Sequence, residues 1–268
     1  MSSMLETIVA KKRMEVEQLK ARNTIAKFES EGLFWNFSNR SLINSLKTEG
    51  STGIIAEFKR KSPSKGWFKN KDFEVGPVVT SYEKFGAAGI SILTDNEFFG
   101  GDLADLTQAK TLTGVPILRK DFMIDIWQIA EAKAFGADVI LLIASCLSRE
   151  QVEEMAAYAK AIGLEVLLEI HSENEIDHIC EQVDIIGVNN RNLKTFDVDV
   201  DASIRLIKKL PKEKLIIAES GIRDMETILR LKQQGFHGFL IGELFMVQDA
   251  PGEAFSQFVS KLKHSNEY

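Results

Sequence analysis

The sequence predicts an α/β fold, a single (β/α)8 TIM barrel with an N-terminal helical extension, on three observations. Eight short apolar segments each precede a helical one. These segments are apolar throughout, as strands covered on both faces of a parallel sheet are. The eight units occupy about 215 of the 268 residues, the span expected of a closed barrel of this kind. A doubly wound sheet competes with this reading, but no Gly-rich dinucleotide loop follows the first strand.

The elements follow in order. Residues 3 to 21 read as a helix, with Leu5, Ile8, Val9, Lys12, Val16 and Leu19 at helical spacing. A second helix, about 39 to 47, sets Leu42, Ile43 and Leu46 on one side. Residues 1 to about 50 are therefore expected to pack on the barrel, and 1–268 to form one domain. The first strand, Ile54–Phe58, runs into a loop marked by Ser62, Pro63, Ser64 and Gly66. A helix at 76–86 opens with Gly76-Pro77. Then come strand 89–93, helix 102–112, a third strand opened by 116–118, and helix 125–135. Strand 138–144 leads to a helix at 148–162 capped by Ser148. Strand 165–170 is followed by a predicted helix at 172–182, where Ser172 and Glu175 form a capping-box pattern. Strand 184–188, helix 201–209, strand 214–218, helix 225–233, strand 238–241 and helix 253–263 complete the alternation. Gly86, Gly136 and Gly235 fit helix C-termini.

Composition narrows the function. A formal net charge of -6 gives no general attraction to nucleic acid or to an anionic membrane. No apolar run is long enough to span a bilayer, and the first residues carry no signal core. Cys146 and Cys180 lack metal-ligand spacing. A cytoplasmic enzyme with a small-molecule substrate is expected, a monomer or weak homo-oligomer.

In a barrel of this type, chemistry gathers at the carboxyl ends of the strands. There the sequence places Glu57, Lys59 and Ser62, then Arg119, Lys120 and Asp121, then Glu169. Asn189, Asn190 and Arg191 follow, then Glu219, Ser220 and Gly221, and finally Gly242 and Glu243. Strand alternation puts Ile55, Glu57 and Lys59 on one face and Ala56 and Phe58 on the other. A lone Glu-x-Lys is usually a structural ion pair. Five apolar runs that each stop at an ionisable or amide residue are not, because every one adds a desolvation cost. The residue types suit lysine and carboxylate acid–base work without a metal. The four histidines are scattered, and His171, near a mouth loop, reads as a local hydrogen-bonding residue. Glycines after the seventh and eighth strands suit a backbone phosphate cradle.

Taken together, Ile55-Ala-Glu-Phe-Lys-Arg-Lys-Ser-Pro-Ser64, Leu118-Arg-Lys-Asp-Phe122, Leu168-Glu-Ile170, Gly187-Val-Asn-Asn-Arg-Asn-Leu193 and Ala218-Glu-Ser-Gly-Ile222 resemble the indole-3-glycerol phosphate synthase family. The resemblance covers nearly the whole chain. It implies conversion of 1-(2-carboxyphenylamino)-1-deoxyribulose 5-phosphate to indole-3-glycerol phosphate, CO2 and water in tryptophan biosynthesis, with no cofactor. It implies that Lys120 is the general acid at the ketone, Glu169 the general base and Lys59 a second acid–base or carboxylate-binding lysine. Glu57, Asn189, Arg191 and Glu219 would orient substrate and lysines, and Phe122 would line the aromatic pocket. Ser62, Ser220, Gly221, Gly242 and the backbone of Glu243 would form the phosphate and loop region. Many relatives carry Ser where Glu243 stands, so its acidic side chain is expected to point away. A phosphoribosyl anthranilate isomerase would want a Cys/Asp pair at the mouth, and neither cysteine lies in one. A non-catalytic barrel would be expected to lack one of Glu57, Lys59, Lys120 and Glu169; all four are present.

Overall fold

The computed structural model describes residues 4–192 and 197–265; Leu193 of the motif above lies outside them, as does the side chain of His264. Among the described residues, eight parallel strands close into a barrel. They are β1 (Ile54–Phe58), β2 (Gly89–Leu93), β3 (Ile117–Lys120), β4 (Val139–Ile143), β5 (Glu165–Ile170), β6 (Ile185–Asn189), β7 (Leu215–Glu219) and β8 (Gly238–Ile241). Each pairs with the next, and β1 pairs with both β2 and β8. That closure removes the doubly wound alternative.

The apolar runs resolve into two faces. Ile55, Leu118, Leu141, Leu167, Ile217 and Leu240 share one buried cluster inside the barrel. Ala56, Phe58, Ile90, Ile140, Val166 and Ala218 belong to the cluster between the strands and the surrounding helices. Because both faces are covered, the strands need apolar residues at successive positions and show no simple alternation in sequence. Removing one interior side chain, as in Leu141→Ala, is expected to cost about 2–5 kcal/mol through the void it leaves.

The extension spans both ends of the barrel. Its first helix, α1 (Met4–Lys20), brings Met4, Leu5 and Ile8 to the mouth. A second, α2 (Ile25–Glu31), begins at the Thr24 cap, and Phe28 packs on Trp127 with ring centroids 5.2 Å apart. The third, α3 (Leu42–Lys47), sends Leu42 and Leu46 into the interior cluster at the opposite end. Gly89 and Gly238 make that plug possible, because a Cβ on either would lie 2.7 Å from Leu42 or 2.9 Å from Leu46.

The barrel helices are α4 (Val75–Lys84), α5 (Asn96–Phe99), α6 (Leu103–Leu112), α7 (Ile126–Ala134), α8 (Arg149–Ala161), α9 (Val200–Ile207), α10 (Met225–Gln233), α11 (Glu243–Met246) and α12 (Pro251–Ser265). One expectation changes. The helix predicted over 172–182 is a 3-10 turn, Glu173–His178. The capping box forms, but the Glu175 carboxylate is also drawn to Ser145 and to the backbone of His171, and no longer helix follows. Sequence reading also passed over α2, α5 and α11, and a two-stranded ribbon of Lys61–Ser62 and Gly66–Trp67 in the loop after β1.

Candidate active site

The inward-facing positions continue past the apolar layers and change character at the strand ends. Ile55 is followed by Glu57, Leu118 by Lys120 and Phe122, and Leu167 by Glu169 and His171. Ile185 leads to Asn189, Ile217 to Glu219, and Leu240 to Gly242. Register ties neighbours to common levels, with Asn189 opposite Glu219 and Ile143 opposite Glu169. Glu57, Lys120, Phe122, Glu169, Asn189, Glu219 and Gly242 line one cavity of about 420 Å³, in the range of small-ligand sites.

Inside it, Lys59 Nζ donates to Glu57 at 2.5 Å. Lys120 Nζ donates to Glu169 at 2.7 Å and to Glu219 at 3.0 Å. Asn189 Nδ2 donates to the other oxygen of Glu169 at 3.0 Å. Two glycines provide the room: a Cβ on Gly187 would sit 2.1 Å from Glu219, and one on Gly242 would sit 2.6 Å from Glu57.

The electrostatics divide the carboxylates. Burial disfavours the charge on Lys120, but Glu169, Glu219 and Glu57 outweigh it and raise its pKa above the usual lysine range. Burial raises Glu219 to about 7, with Glu169 and Glu57 adding to burial against the pull of Lys120. Glu169 is equally deep, yet Lys120 and His171 overcome its burial and keep it well below the usual carboxylate range.

A second group lies on the β7–β8 side. Ser220 and Gly221 both take positive φ, 66° and 70°. A serine in that conformation carries strain, and Asn190 holds it by donating to the Ser220 carbonyl at 2.8 Å. A Cβ on Gly221 would fall 2.2 Å from Val198. Ser62 brings a buried hydroxyl without a partner among the described residues to the same cavity. The Glu243 side chain does not point away. It lies 2.7 Å from Lys65 and 3.8 Å from Arg191, and all three line the cavity, because the two cations attract it. Every residue to which the resemblance assigns a role thus lines one mouth, with Phe122 on its apolar wall beside Phe99, ring centroids 6.1 Å apart, whereas Arg119 turns to Glu131 of α7 and Asn190 to the Ser220 carbonyl, outside the cavity lining.

The family model for indole-3-glycerol phosphate synthase matches residues 5–258. The chain belongs to the indole-3-glycerol phosphate synthase family. An indole-3-glycerol phosphate synthase of Bacteroides thetaiotaomicron is 47% identical over 98% of this chain and all of its own length. One of Campylobacter fetus is 42% identical over 92% of this chain and 95% of its own. Among solved structures, a chain of the tryptophan synthase complex from Pyrococcus furiosus superposes with a TM-score of 0.58 at 13% identity, covering 80% of this chain and 98% of its own. A 3-hexulose-6-phosphate synthase does so at 0.63 and 12%, covering 78% and 99%. These two show the shared barrel.

Three features of this indole-3-glycerol phosphate synthase family member were not anticipated from sequence as parts of the site. Leu5 and Ile8 of α1 line the cavity. Lys12, on the same helix, is buried 3.0 Å from both Asp95 and Asp121, beside the end of β3. His171 lies 3.3 Å from Glu169. Two signals pointed to these: a lysine within an apolar stripe, and the inward period 167, 169, 171. No helix among the described residues is long and apolar enough to cross a membrane, and none of their His, Cys, Asp or Glu groups is arranged to hold a metal ion.

Proposed function

We propose that this mouth closes the pyrrole ring of 1-(2-carboxyphenylamino)-1-deoxyribulose 5-phosphate, releases CO2 and water, and yields indole-3-glycerol phosphate for tryptophan biosynthesis. The chain is a carbon–carbon carboxy-lyase of the indole-3-glycerol phosphate synthase family. The observation that carries the residue assignment is the meeting of Lys120, Glu169, Glu219 and the Glu57–Lys59 pair in one cavity that also reaches Ser220, Gly221 and Gly242.

The substrate phosphate sits at the Ser220–Gly221 turn and the Gly242–Glu243 backbone, with Ser62 and Arg191 at its edge. The aromatic ring lies on Phe122. Binding at both ends folds the substrate so that its carboxylate-bearing ring carbon meets the ketone, an orientation effect worth several kcal/mol. Lys120 gives a proton to the ketone oxygen as the carbon–carbon bond forms, so no alkoxide is left uncompensated. The bond to the carboxylate then breaks, and its electron pair restores the aromatic ring. Lys59, beside Glu57, protonates the departing hydroxyl. Glu169, aligned by Asn189, removes the carbon proton that completes the indole. Two protons enter and one leaves, so each turnover takes up one proton.

The chain acts as one domain over 1–268, with residues 1 to about 50 as its extension. It works in the cytoplasm as a monomer or weak homo-oligomer, without nucleic-acid or membrane partners. Incubation with the carboxyphenylamino sugar phosphate is expected to release CO2 and develop indole fluorescence together. Lys120→Ala is expected to lower turnover by orders of magnitude with the fold intact. Near-normal turnover in that variant removes Lys120 from the mechanism.

A further inference from the structure

At the ends of β1, β5 and β7 the mouth holds three carboxylates, Glu57, Glu169 and Glu219, and among them stand two ammonium groups, Lys59 and Lys120. Lys59 is matched to Glu57 at 2.5 Å. Lys120 stands between the other two, 2.7 Å from Glu169 and 3.0 Å from Glu219. Carboxylates that share a site share a proton, and Lys120 is too evenly placed to decide which of them keeps it. The chemistry requires a decision, because the base must be free of a proton when the last carbon–hydrogen bond breaks.

The two glutamates differ on their far sides. Oε1 of Glu219 is buried without a polar partner among the described residues, against Gly187. Oε1 of Glu169 faces Asn189 Nδ2 at 3.0 Å and the buried Nε2 of His171 at 3.3 Å. His171 is fixed from behind. Glu175 accepts from the backbone N–H of His171 at 2.5 Å and from that of Ser172 at 3.2 Å. Its carboxylate is 3.7 Å from Nδ1, and Ser145 Oγ links the two, 2.5 Å from Glu175 and 3.3 Å from Nδ1.

We infer that His171 is a positioning residue of this reaction: clamped by Glu175 and Ser145, its cationic ring makes Glu169, rather than Glu219, the glutamate left without a proton. The inference rests on the proposed reaction and adds a residue to it. Burial opposes a charge on the ring, but Glu169 and Glu175 override it and raise His171 to about 9. The groups facing the ring are Glu169 from β5, Glu175 from the 3-10 turn, and Ser145 from the turn after β4, with Cys146 next in the chain. The Cys146 thiol is pushed up to about 12 by burial and by the same two glutamates, so it brings no competing charge. Lys120 acts on His171 only across Glu169. When Lys120 gives its proton to the substrate, the imidazolium is the cation that remains against Glu169.

The test compares the unsubstituted chain with His171→Gln and Glu175→Gln by kcat and kcat/KM against pH, and by NMR titration of the His171 ring. His171→Gln is expected to raise the carboxylate's proton affinity by roughly one unit and so lower kcat about tenfold along its acid limb, with KM within about threefold. Its acid limb moves to higher pH, and raising the pH recovers activity as Glu169 ionises again. Glu175→Gln, which keeps an acceptor for the backbone N–H groups, is expected to lower the titration of the His171 ring. An acid limb unmoved by His171→Gln, a loss that higher pH does not recover, or ordinary histidine titration in the unsubstituted chain each overturns the inference. Absence of turnover in the unsubstituted chain sinks the proposed reaction instead, and the ring titration still reads the clamp.

Discussion

Among the described residues, two lysines are held between carboxylates at ion-pair distance, and only one of them faces the chemistry. Lys12 on α1 lies 2.9 Å from Glu15 and 3.0 Å from both Asp95 and Asp121. Lys120 on β3 lies between Glu169 and Glu219. Counting charge does not separate them. Three buried acids, Asp95, Asp121 and Glu131, face two cations, Lys12 and Arg119, much as three face two at the mouth. Burial disfavours both ammoniums, and in both places the acids outweigh it and raise the lysine.

Access separates them. Asp121 takes bonds from Thr94, from Arg119 and from its own neighbour's N–H at Phe122, while Asp95 caps α5 through Phe98. Each cluster holds a buried atom without a hydrogen-bond partner among the described residues, Lys12 Nζ in one and Glu219 Oε1 in the other, but Lys120 borders the cavity and Lys12 does not. A cluster away from the cavity fixes α1 to the barrel. One that borders empty space can exchange partners with a substrate.

The same substitution at both lysines tests that contrast. Lys120→Met is expected to lower kcat about a thousandfold or more, since it removes both a proton donor and the charge that meets the developing oxyanion. Its melting temperature should stay close to that of the unsubstituted chain, because the freed glutamates can take up protons and the cavity admits water. Lys12→Met should do the reverse. Removing one partner of a closed buried cluster costs about 3–5 kcal/mol, read as a lower melting midpoint, while kcat stays within about tenfold. A Lys12→Met chain that melts normally but has lost turnover would break the comparison.

Glu219 sharpens it through pH. Its pKa is raised from the ordinary carboxylate value to about 7 by burial, with Lys120 opposing. A group raised on folding contributes stability below its unfolded pKa and loses it as pH rises through the folded one. The unsubstituted chain should therefore lose stability between about pH 4.5 and 7 from this residue. Glu219→Gln should remove that loss and gain roughly 1–3 kcal/mol at pH 8, while kcat falls because Lys120 is no longer aligned. Parallel melting curves against pH for the two proteins would show that Glu219 titrates as an ordinary acid.

Most of the mouth was legible because a strand is a short-range object. An apolar run that stops at Glu57, Lys120, Glu169, Asn189 or Glu219 declares both its burial and its end, and period two fixes the face. The glycines after β7 and β8 were legible as turns, while the need of Gly187 and Gly242 to clear Glu219 and Glu57 appears only once strands are side by side. Lys12 was counted in an apolar stripe, and nothing local says that Asp95 and Asp121, more than eighty residues on, come to meet it. The 3-10 turn after β5 misled because Ser172 and Glu175 do form a capping box, but Glu175 also serves His171 and Ser145.

The smallest expected effect concerns the residue whose side chain turned the other way. Glu243 lies between Lys65 of the loop after β1 and Arg191 after β6, beside the backbone assigned to phosphate. Burial opposes its charge, yet Lys65, Lys59 and Arg191 hold it below the usual carboxylate range, so it meets an incoming phosphate as an anion. Substrate must then separate Glu243 from cations that it would itself attract. Glu243→Ser should lower KM about threefold to tenfold, a change suited to a half-exposed charge, with kcat within about twofold. The gain should shrink as salt rises, because screening weakens the removed repulsion. If KM rises instead, or the change ignores salt, the carboxylate serves to hold Lys65 and its loop in place, and the phosphate binds outside its reach.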